Sequence, residues 1–451
     1  MSSRAERFWE NVQSSFWFIP LLMVLGAAVA SFALVALDWR VQAGETGRFW
    51  FLYTGGPEGA RAVLQVIAGS MITVASIVFS ITIVSLTLAA QQLGPRLLRN
   101  FMRDRSTQTG LGVFISTFLY AVLVLRQVRG PDEDAAVPHI AVTVALVLVI
   151  LSLVVLIHFV HHTASVIQAG NVAASVTKDL LRTIEHLFPE EIGAGAEQRE
   201  ETRGEPDVPA GLDREARNIY AQSEGYVVAI DDELLLAAAK RHDLVVKLDC
   251  RPGLYVNYWM RIARAWPPQH MTREAEKQIA QAVRTGAQPS MEEDAQFVFT
   301  QLVVIAVRAL SPSVNDPFTA TTCIDHLGTA LSKLATRSAP SPYRYDAEGR
   351  LRVIASPVTF REIAGPVFED IRHYGRSSPA VLNTLLDMIA RVAPLVRGEE
   401  DQEALLFFAR RIRAECRKHV SEPLEEQKLE ERYRRVLESF ERGWPERGAQ
   451  N

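Results

Sequence analysis

Four uncharged or nearly uncharged runs, at about residues 16–37, 63–90, 107–125 and 137–157, fill the first third of the chain. A hydrocarbon core of about 30 Å needs about 20 residues of helix to cross it. Backbone amides placed there must bond within their own segment, so each run is expected to form a transmembrane helix. The rest of the chain alternates charged and apolar residues as a water-soluble protein does, which leaves the chain-wide mean hydropathy only slightly positive. The first run follows Arg4 and Arg7 in the manner of a signal peptide. It is long for such a segment, and no small-x-small cleavage site precedes Asp38-Trp39-Arg40, so a retained span is expected.

The loops set an orientation. Between spans two and three lie Arg96, Arg99, Arg103 and Arg105 against Asp104, and between spans three and four lie Asp132, Glu133 and Asp134. Arginine and lysine stay on the cytoplasmic side. An even number of spans then leaves both termini and the large C-terminal part cytoplasmic. Lys178 and Arg182, just past span four, agree, and Trp17, Trp39 and Trp50 sit near the expected interfaces.

Residues 70–95 read SMITVASIVFSITIVSLTLAAQQLGP, without charge but with hydroxyls at Ser70, Thr73, Ser76, Ser80, Thr82, Ser85 and Thr87. At about 100° per residue, Gly69, Ser70, Thr73, Ser76, Ser80, Thr87 and Gln91 share an arc of about 120°. Thr82 and Ser85 lie off it and can bond the carbonyl four residues back. Two readings stay open. In the first, small residues let helices approach and hydroxyls bond between them, with Gly26-x-x-x-Ala30 and Ala27-x-x-x-Ser31 in span one as companions. In the second, the stripe lines an aqueous pore whose cytoplasmic mouth carries Arg96, Arg99, Arg103 and Arg105 and favours anions. Four helices enclose too little space for such a pore, so it needs several copies. Both readings entail a homo-oligomer.

Other chemistry is sparse. His158, His161 and His162 share a helix face at the end of span four, where cations suit the helix dipole. No acidic residue is expected inside a span, which counts against a proton relay. Cys250, Cys323 and Cys416 are scattered and read as buried thiols. A net charge of −4 gives no nucleic-acid footprint. The motif patterns of nucleophile elbows, zincins and phosphate loops are missing from the sequence, so no enzyme activity, cofactor or metal is expected.

Past span four, a helix is expected through about residue 188, then an acidic linker to about 218. Residues 225–230 and 244–250 read as strands around a helix capped by Asp231, with a third strand at 254–258 after the Arg251-Pro252-Gly253 turn. A buried helix follows at 294–310, with Asp294, Gln301 and Arg308 aligned along one edge at seven-residue spacing. Asp316 with Pro317 signals the start of the next helix. Asp294, Arg308, Asn315, Asp316 and Asp325 form a candidate polar cluster for a ligand or ion. A strand at 351–355 and helices at 360–374, 379–396, 401–419 and 422–442 complete the chain.

The stretches SMITVASIVFSITIV from Ser70, AAQQLGPR from Ala89 and RALSPSVNDPFTA from Arg308 resemble the signatures of the DUF2254 family of bacterial membrane proteins. The resemblance spans nearly the whole chain. It implies a bacterial inner-membrane protein with an N-terminal bundle and a cytoplasmic domain, and it assigns no residue a role.

The expected fold is therefore an α-helical membrane protein with four transmembrane helices plus a cytoplasmic α+β domain, mostly helical. Its parts are a bundle at 1–165, a helical extension at 166–188, the linker at 189–218, a small α/β unit at 219–270 and a helical domain at 271–451. The expected partners are the lipid bilayer, further copies of the chain and small ions. The expected function is an ion channel lined by span two, with a cytoplasmic gating or assembly domain. The alternative is a membrane-anchored sensor or scaffold whose cytoplasmic domain binds a ligand or partner.

Overall fold

Helix α1 (Phe18–Val41), α2 (Pro57–Leu93), α3 (Arg105–Leu125) and α4 (His139–Val166) carry the four runs. In this computed structural model of the protein the described residues are 16–41, 53–93, 104–129, 137–166, 169–188, 208–290, 293–337, 340–419 and 422–441. The chain divides into two units, 1–171 and 172–451.

In the first unit α3 is the central helix. It packs against α1, α2 and α4, and more than half of its apolar stretch is buried, against less than a quarter for the other three. Two glycines explain that position. A side chain at Gly112 would meet Met23 Sδ at 2.6 Å and the Pro20 backbone at 3.2 Å, and one at Gly110 would touch Phe159. Backbones approach closely there because nothing stands between them. Polar side chains tie the rest. Thr117 and Ser152 bond at 3.3 Å between α3 and α4, and Tyr120 donates to Ala141 O at 3.0 Å.

The spans are longer than their apolar runs. Helix α1 continues through Asp38, which corrects the expectation that no span holds an acidic residue. Asp38 is buried, and its two carboxylate oxygens accept from the Ile140 and Ala141 amides at 2.9 Å each. It thus caps the first turn of α4 from another helix. Helix α2 begins at Pro57, six residues early, and Arg61 in this added stretch donates to the Val128 carbonyl at 2.9 Å.

Helix α5 (Ala169–Leu187) leads into the second unit. The acidic stretch 189–207 lies outside the described residues, and β1 (Arg217–Tyr220) already occupies the end of the expected linker. Next come β2 (Gly225–Ile230), α6 (Asp232–Arg241), β3 (Val245–Leu248), β4 (Tyr255–Val256), β5 (Arg261–Trp266), α7 (Arg273–Ala282) and β6 (Val283–Gly286). With β7 (Tyr343–Tyr345) and β8 (Leu351–Ile354) they build a five-stranded sheet, β1-β5-β3-β8-β7, and a three-stranded one, β4-β2-β6. Only the β3–β8 pair is parallel among the recorded pairings; the long connection through the helices makes that direction possible. One core joins Ile219, Val246 and Ile262 to Ile279, Val283 and Val353, so the boundary read at residue 270 falls inside it. A small sheet with one helix buries too little to stand alone, and α7 and β6 supply the missing cover.

Helices α8 (Ala295–Ala309), α9 (Pro317–Ala335), α10 (Phe360–Tyr374), α11 (Pro379–Val392), α12 (Glu399–Arg417) and α13 (Pro423–Glu441) make up the helical part of this unit. Helix α8 packs on α9 and α10, and α11 on α9, α12 and α13. Their starts follow their capping chemistry: Asp294 accepts from Phe297 N, Asp316 from Thr319 N, and Thr359 forms a reciprocal capping box with Glu362. Cys250, Cys323 and Cys416 are buried free thiols, and burial pushes Cys250 and Cys323 up to about 12.

Candidate functional site

The side of α2 that α3 and its neighbours cover consists of Ala60, Leu64, Ile67, Ala68, Met71, Ala75 and Val78. Gly69, Ser70, Thr73, Ser76, Ser80 and Thr87 are all exposed. At about 100° per residue the centre of the hydroxyl stripe lies about 180° from the centre of the covered side. The stripe therefore points outward from the unit along almost its entire length. From Gly69 to Thr87 it runs roughly 27 Å at 1.5 Å per residue, close to the hydrocarbon thickness. Gln91 belongs to the same helix.

The hydroxyls are satisfied on their own helix. Thr73 donates to Gly69 O at 2.8 Å, Ser76 to Ile72 O at 2.9 Å, Ser80 to Ser76 O at 2.9 Å and Thr87 to Ile83 O at 2.9 Å. Each has spent its proton backward and turns only lone pairs outward. A methyl group added at Gly69 or at Gly26 would meet nothing within 4 Å. So packing inside one chain does not account for Gly26 of span one or Gly69 of span two. That role falls to Gly110 and Gly112 of span three, whose glycines the sequence reading passed over.

Of the arginines expected at one mouth of the stripe, Arg96, Arg99 and Arg103 lie outside the described residues. Arg105 is the exposed first residue of α3. Beside it Asp104 caps α3 through Ser106 N and Thr107 N and bonds His162 Nε2 at 2.9 Å, while Ser106 meets His158 Nε2 at 3.1 Å. Two of the three histidines thus join α4 to the start of α3. Among the described residues no group of three His, Cys, Asp or Glu side chains is arranged to hold a metal ion.

The five residues of the polar cluster do not meet at one place. Asp294 and Arg308 stand at opposite ends of α8, about 21 Å apart along its axis at 1.5 Å per residue. Asp294 lies against the Arg251-Pro252-Gly253 turn, and burial raises its carboxyl above the usual carboxylate range. Asp316 is engaged by Thr319 N at 3.1 Å and Thr319 Oγ1 at 2.5 Å, and that hydroxyl holds it below the usual range. Asn315, exposed, takes a left-handed turn at φ 47°. Asp325 pairs with Arg391 at 2.7 Å on the surface of α9. The seven-residue spacing put the residues on one edge, and helix length then separates them.

A cavity of about 280 Å³ lies elsewhere in the second unit. Phe188, Leu334, Phe360, Arg337, Arg397 and Asp401 are among its walls. Arg337 donates to the Phe188 carbonyl at the end of α5. Burial, with Glu400 adding to it, raises the Asp401 carboxyl. No sequence motif marks this place, because its walls come from four separated helix ends.

The sequence profile of one family, described as predicted membrane protein (DUF2254), matches residues 13–391. The chain belongs to the DUF2254 family. The match covers all four spans of this DUF2254 protein and its second unit as far as α11. Similar relatives are uncharacterized proteins of Mycobacterium bovis (Mb1321c) and Mycobacterium tuberculosis (Rv1290c), each 32% identical over 400 residues, covering 87% of this chain and 74% of the relative. No solved structure matches this DUF2254 chain.

Proposed function

We propose that the protein is a homo-oligomer of the bacterial inner membrane, with both termini cytoplasmic, that conducts small ions along the hydroxyl face of α2. The observation that carries this reading is the direction of that face, turned away from every other span of its own chain. Lipid is an inferior occupant for it. A lipid-facing helix gains from bulk and branching, and the neighbouring outward positions Ile72, Ile77 and Ile81 show this chain using them. The stripe substitutes oxygen and a bare backbone at Gly69 instead. Copies meeting there can pack closely, and an enclosed path lined by hydroxyl oxygens is only weakly selective. Selection of anions falls to the arginines between spans two and three. The second unit serves gating or assembly, without enzymatic chemistry.

The experiment is reconstitution in liposomes with flux measured beside oligomer mass. Oligomers that pass ions, with flux altered by Thr73→Val and Ser80→Ala, are expected. A monomeric or ion-tight preparation, or variants that change nothing, ends the channel reading.

A second reading, a membrane-anchored sensor or scaffold, is favoured by the cavity at Phe188 and Arg337. An occupant there touches the end of the helix that follows span four in sequence. A thermal-shift screen of the full chain against small metabolites tests it: a stabilising compound whose effect Arg397→Ala removes supports the sensor, and a barren screen counts against it.

A further inference from the structure

The most exposed aromatic side chain among the described residues is Trp259, at 88%. It sits in the turn between β4 and β5, where its own amide donates to Asn257 Oδ1 at 3.0 Å and Met260 N donates to Asn257 O at 2.9 Å. The turn is therefore closed by its own backbone, and the indole projects from it. Tyr258 beside it is 55% exposed, and Tyr255 of β4 is 49% exposed and meets Tyr226 edge-on at 5.2 Å. Tyr220 joins from the other sheet: it is the Cα partner of Arg261, and Ala221 N donates to Met260 O. Tyr220, Tyr255 and Tyr258 thus flank in register or sequence the turn that carries Trp259, with Tyr226 set against Tyr255.

Burial in a core does not explain this edge, since the side chains stand outside it. Exposed tryptophan costs solvation free energy, and a contiguous apolar patch marks an interaction surface. The residue types specify which one. Tyrosine and tryptophan pair an apolar ring with a polar tip, the combination that settles at the headgroup level of a bilayer. Shape agrees: a projecting indole on a rigid turn enters a fluid interface without a preformed pocket, whereas a flat protein partner would need one. Supply agrees as well. Every copy of this chain carries four helices long and apolar enough to cross a membrane, so the edge belongs to a chain that itself meets lipid, and a contact tethered in this way acts at a raised effective concentration.

We propose that the edge formed by Tyr220, Tyr255, Tyr258 and Trp259 docks on the headgroup region of the lipid bilayer, with Trp259 inserted deepest. The contact is with lipid of either charge, because the edge offers rings and polar tips rather than a basic cluster. The Arg261 guanidinium at its rim is already held by Asp249 at 2.6 Å. Trp259→Phe removes the indole and leaves the closed turn, so folding is retained.

The test uses the full chain in phosphatidylcholine nanodiscs. Subtracting the emission of Trp259→Phe from that of the unaltered protein isolates the Trp259 signal. With acyl chains brominated near the headgroup, that signal is expected to lose most of its intensity, and aqueous iodide is expected to quench it little. A signal quenched by iodide and untouched by bromolipid overturns the proposal, because the indole then stands in water. A signal that resists both also overturns it, because protein then covers the site. Neither outcome bears on whether α2 conducts ions, which is read by flux.

Discussion

Asp38, in the last turn of α1, accepts hydrogen bonds from the backbone amides of both Ile140 and Ala141 at 2.9 Å. A helix entering a membrane leaves its first amides without intrahelical partners, and here a carboxylate from another helix closes two of them. The same device appears at the opposite end of the bundle, where Asp104 caps α3 and binds His162 of α4. Each aspartate fixes one helix end to a neighbour.

Asp38→Ala should therefore destabilise the first unit more than loss of a surface carboxylate does. Two buried amides lose their acceptors, which costs on the order of 1–3 kcal/mol each. Asp38→Asn retains one good acceptor and should fall between. Thermal unfolding of the purified protein in detergent checks the order. Equal stability of all three proteins would contradict the capping role.

Gly112 and Gly69 separate packing within a chain from packing between chains. Gly112→Leu would drive into Met23 and the Pro20 backbone, and overpacking of this kind costs on the order of 1–3 kcal/mol. Gly69→Leu meets open space in one chain and should leave its thermal transition in place. If copies join along the α2 stripe, Gly69→Leu lowers the oligomer mass by native mass spectrometry while Gly112→Leu lowers the melting temperature. Oligomers indifferent to Gly69→Leu would place the junction elsewhere.

The four spans were legible because run length alone forces the helix, and the capping residues Asp231 and Asp316 marked helix starts that the structure retains. Strand β5 was not legible. Its Arg261 and Arg264 interrupt the apolar run, and they are tolerated because Asp249 and Asp213 neutralise them across the sheet. Strands β1 and β6 have four residues each, too few to show alternation. The hydroxyl stripe was visible as a period, but its direction was not. A period gives the angle between residues of one helix and says nothing of which neighbour lies against which side. Glycines on α3, a different helix, decide that.

Gly253 has φ +87° and faces the Asp294 carboxylate so closely that a methyl group would overlap it. Gly253→Ala combines a left-handed backbone with that overlap, and a cost on the order of 1–3 kcal/mol is expected. Chemical denaturation of the full chain should show it, and the paired change Gly253→Ala with Asp294→Ala should recover part of the loss by opening space. No recovery would mean that backbone strain alone is responsible.

Arg352 is a buried cation in the second unit. Its Nε donates to Asp346 Oδ2 at 2.7 Å and its Nη1 to Asp243 Oδ1 at 2.8 Å, with Arg352 and Asp346 both buried. Removing one partner of a buried pair leaves the other charge uncompensated, at about 3–5 kcal/mol. Arg352→Met should therefore cost far more than Asp243→Asn, whose carboxylate is mostly exposed and whose contribution solvent screens. The double change Arg352→Met with Asp346→Asn removes both charges and keeps an acceptor for the Glu348 and Arg350 amides, so it should regain much of the loss. A cost for Arg352→Met no larger than for Asp243→Asn would show that the pair is not sealed from water.

Two helix caps of the second unit should respond to acid with opposite signs. Asp316 is held below the ordinary carboxylate value by the Thr319 hydroxyl and amide. Its folded form binds the proton less readily than the unfolded chain, so its stabilisation is present above the unfolded value of about 3.9 and fades as pH falls through the folded one. Asp294 is raised by burial, with its amide bond to Phe297 and Arg251 only partly offsetting it. Its folded form binds the proton more readily, so its contribution is complete below the unfolded value and is lost as pH rises through the folded one. Comparing each aspartate with its asparagine variant across that window isolates the two. The advantage of the unaltered chain over Asp316→Asn should grow with rising pH, and its advantage over Asp294→Asn should shrink. Slopes of the same sign in both comparisons would show that the Asp294 carboxyl is solvated rather than enclosed against the Gly253 turn.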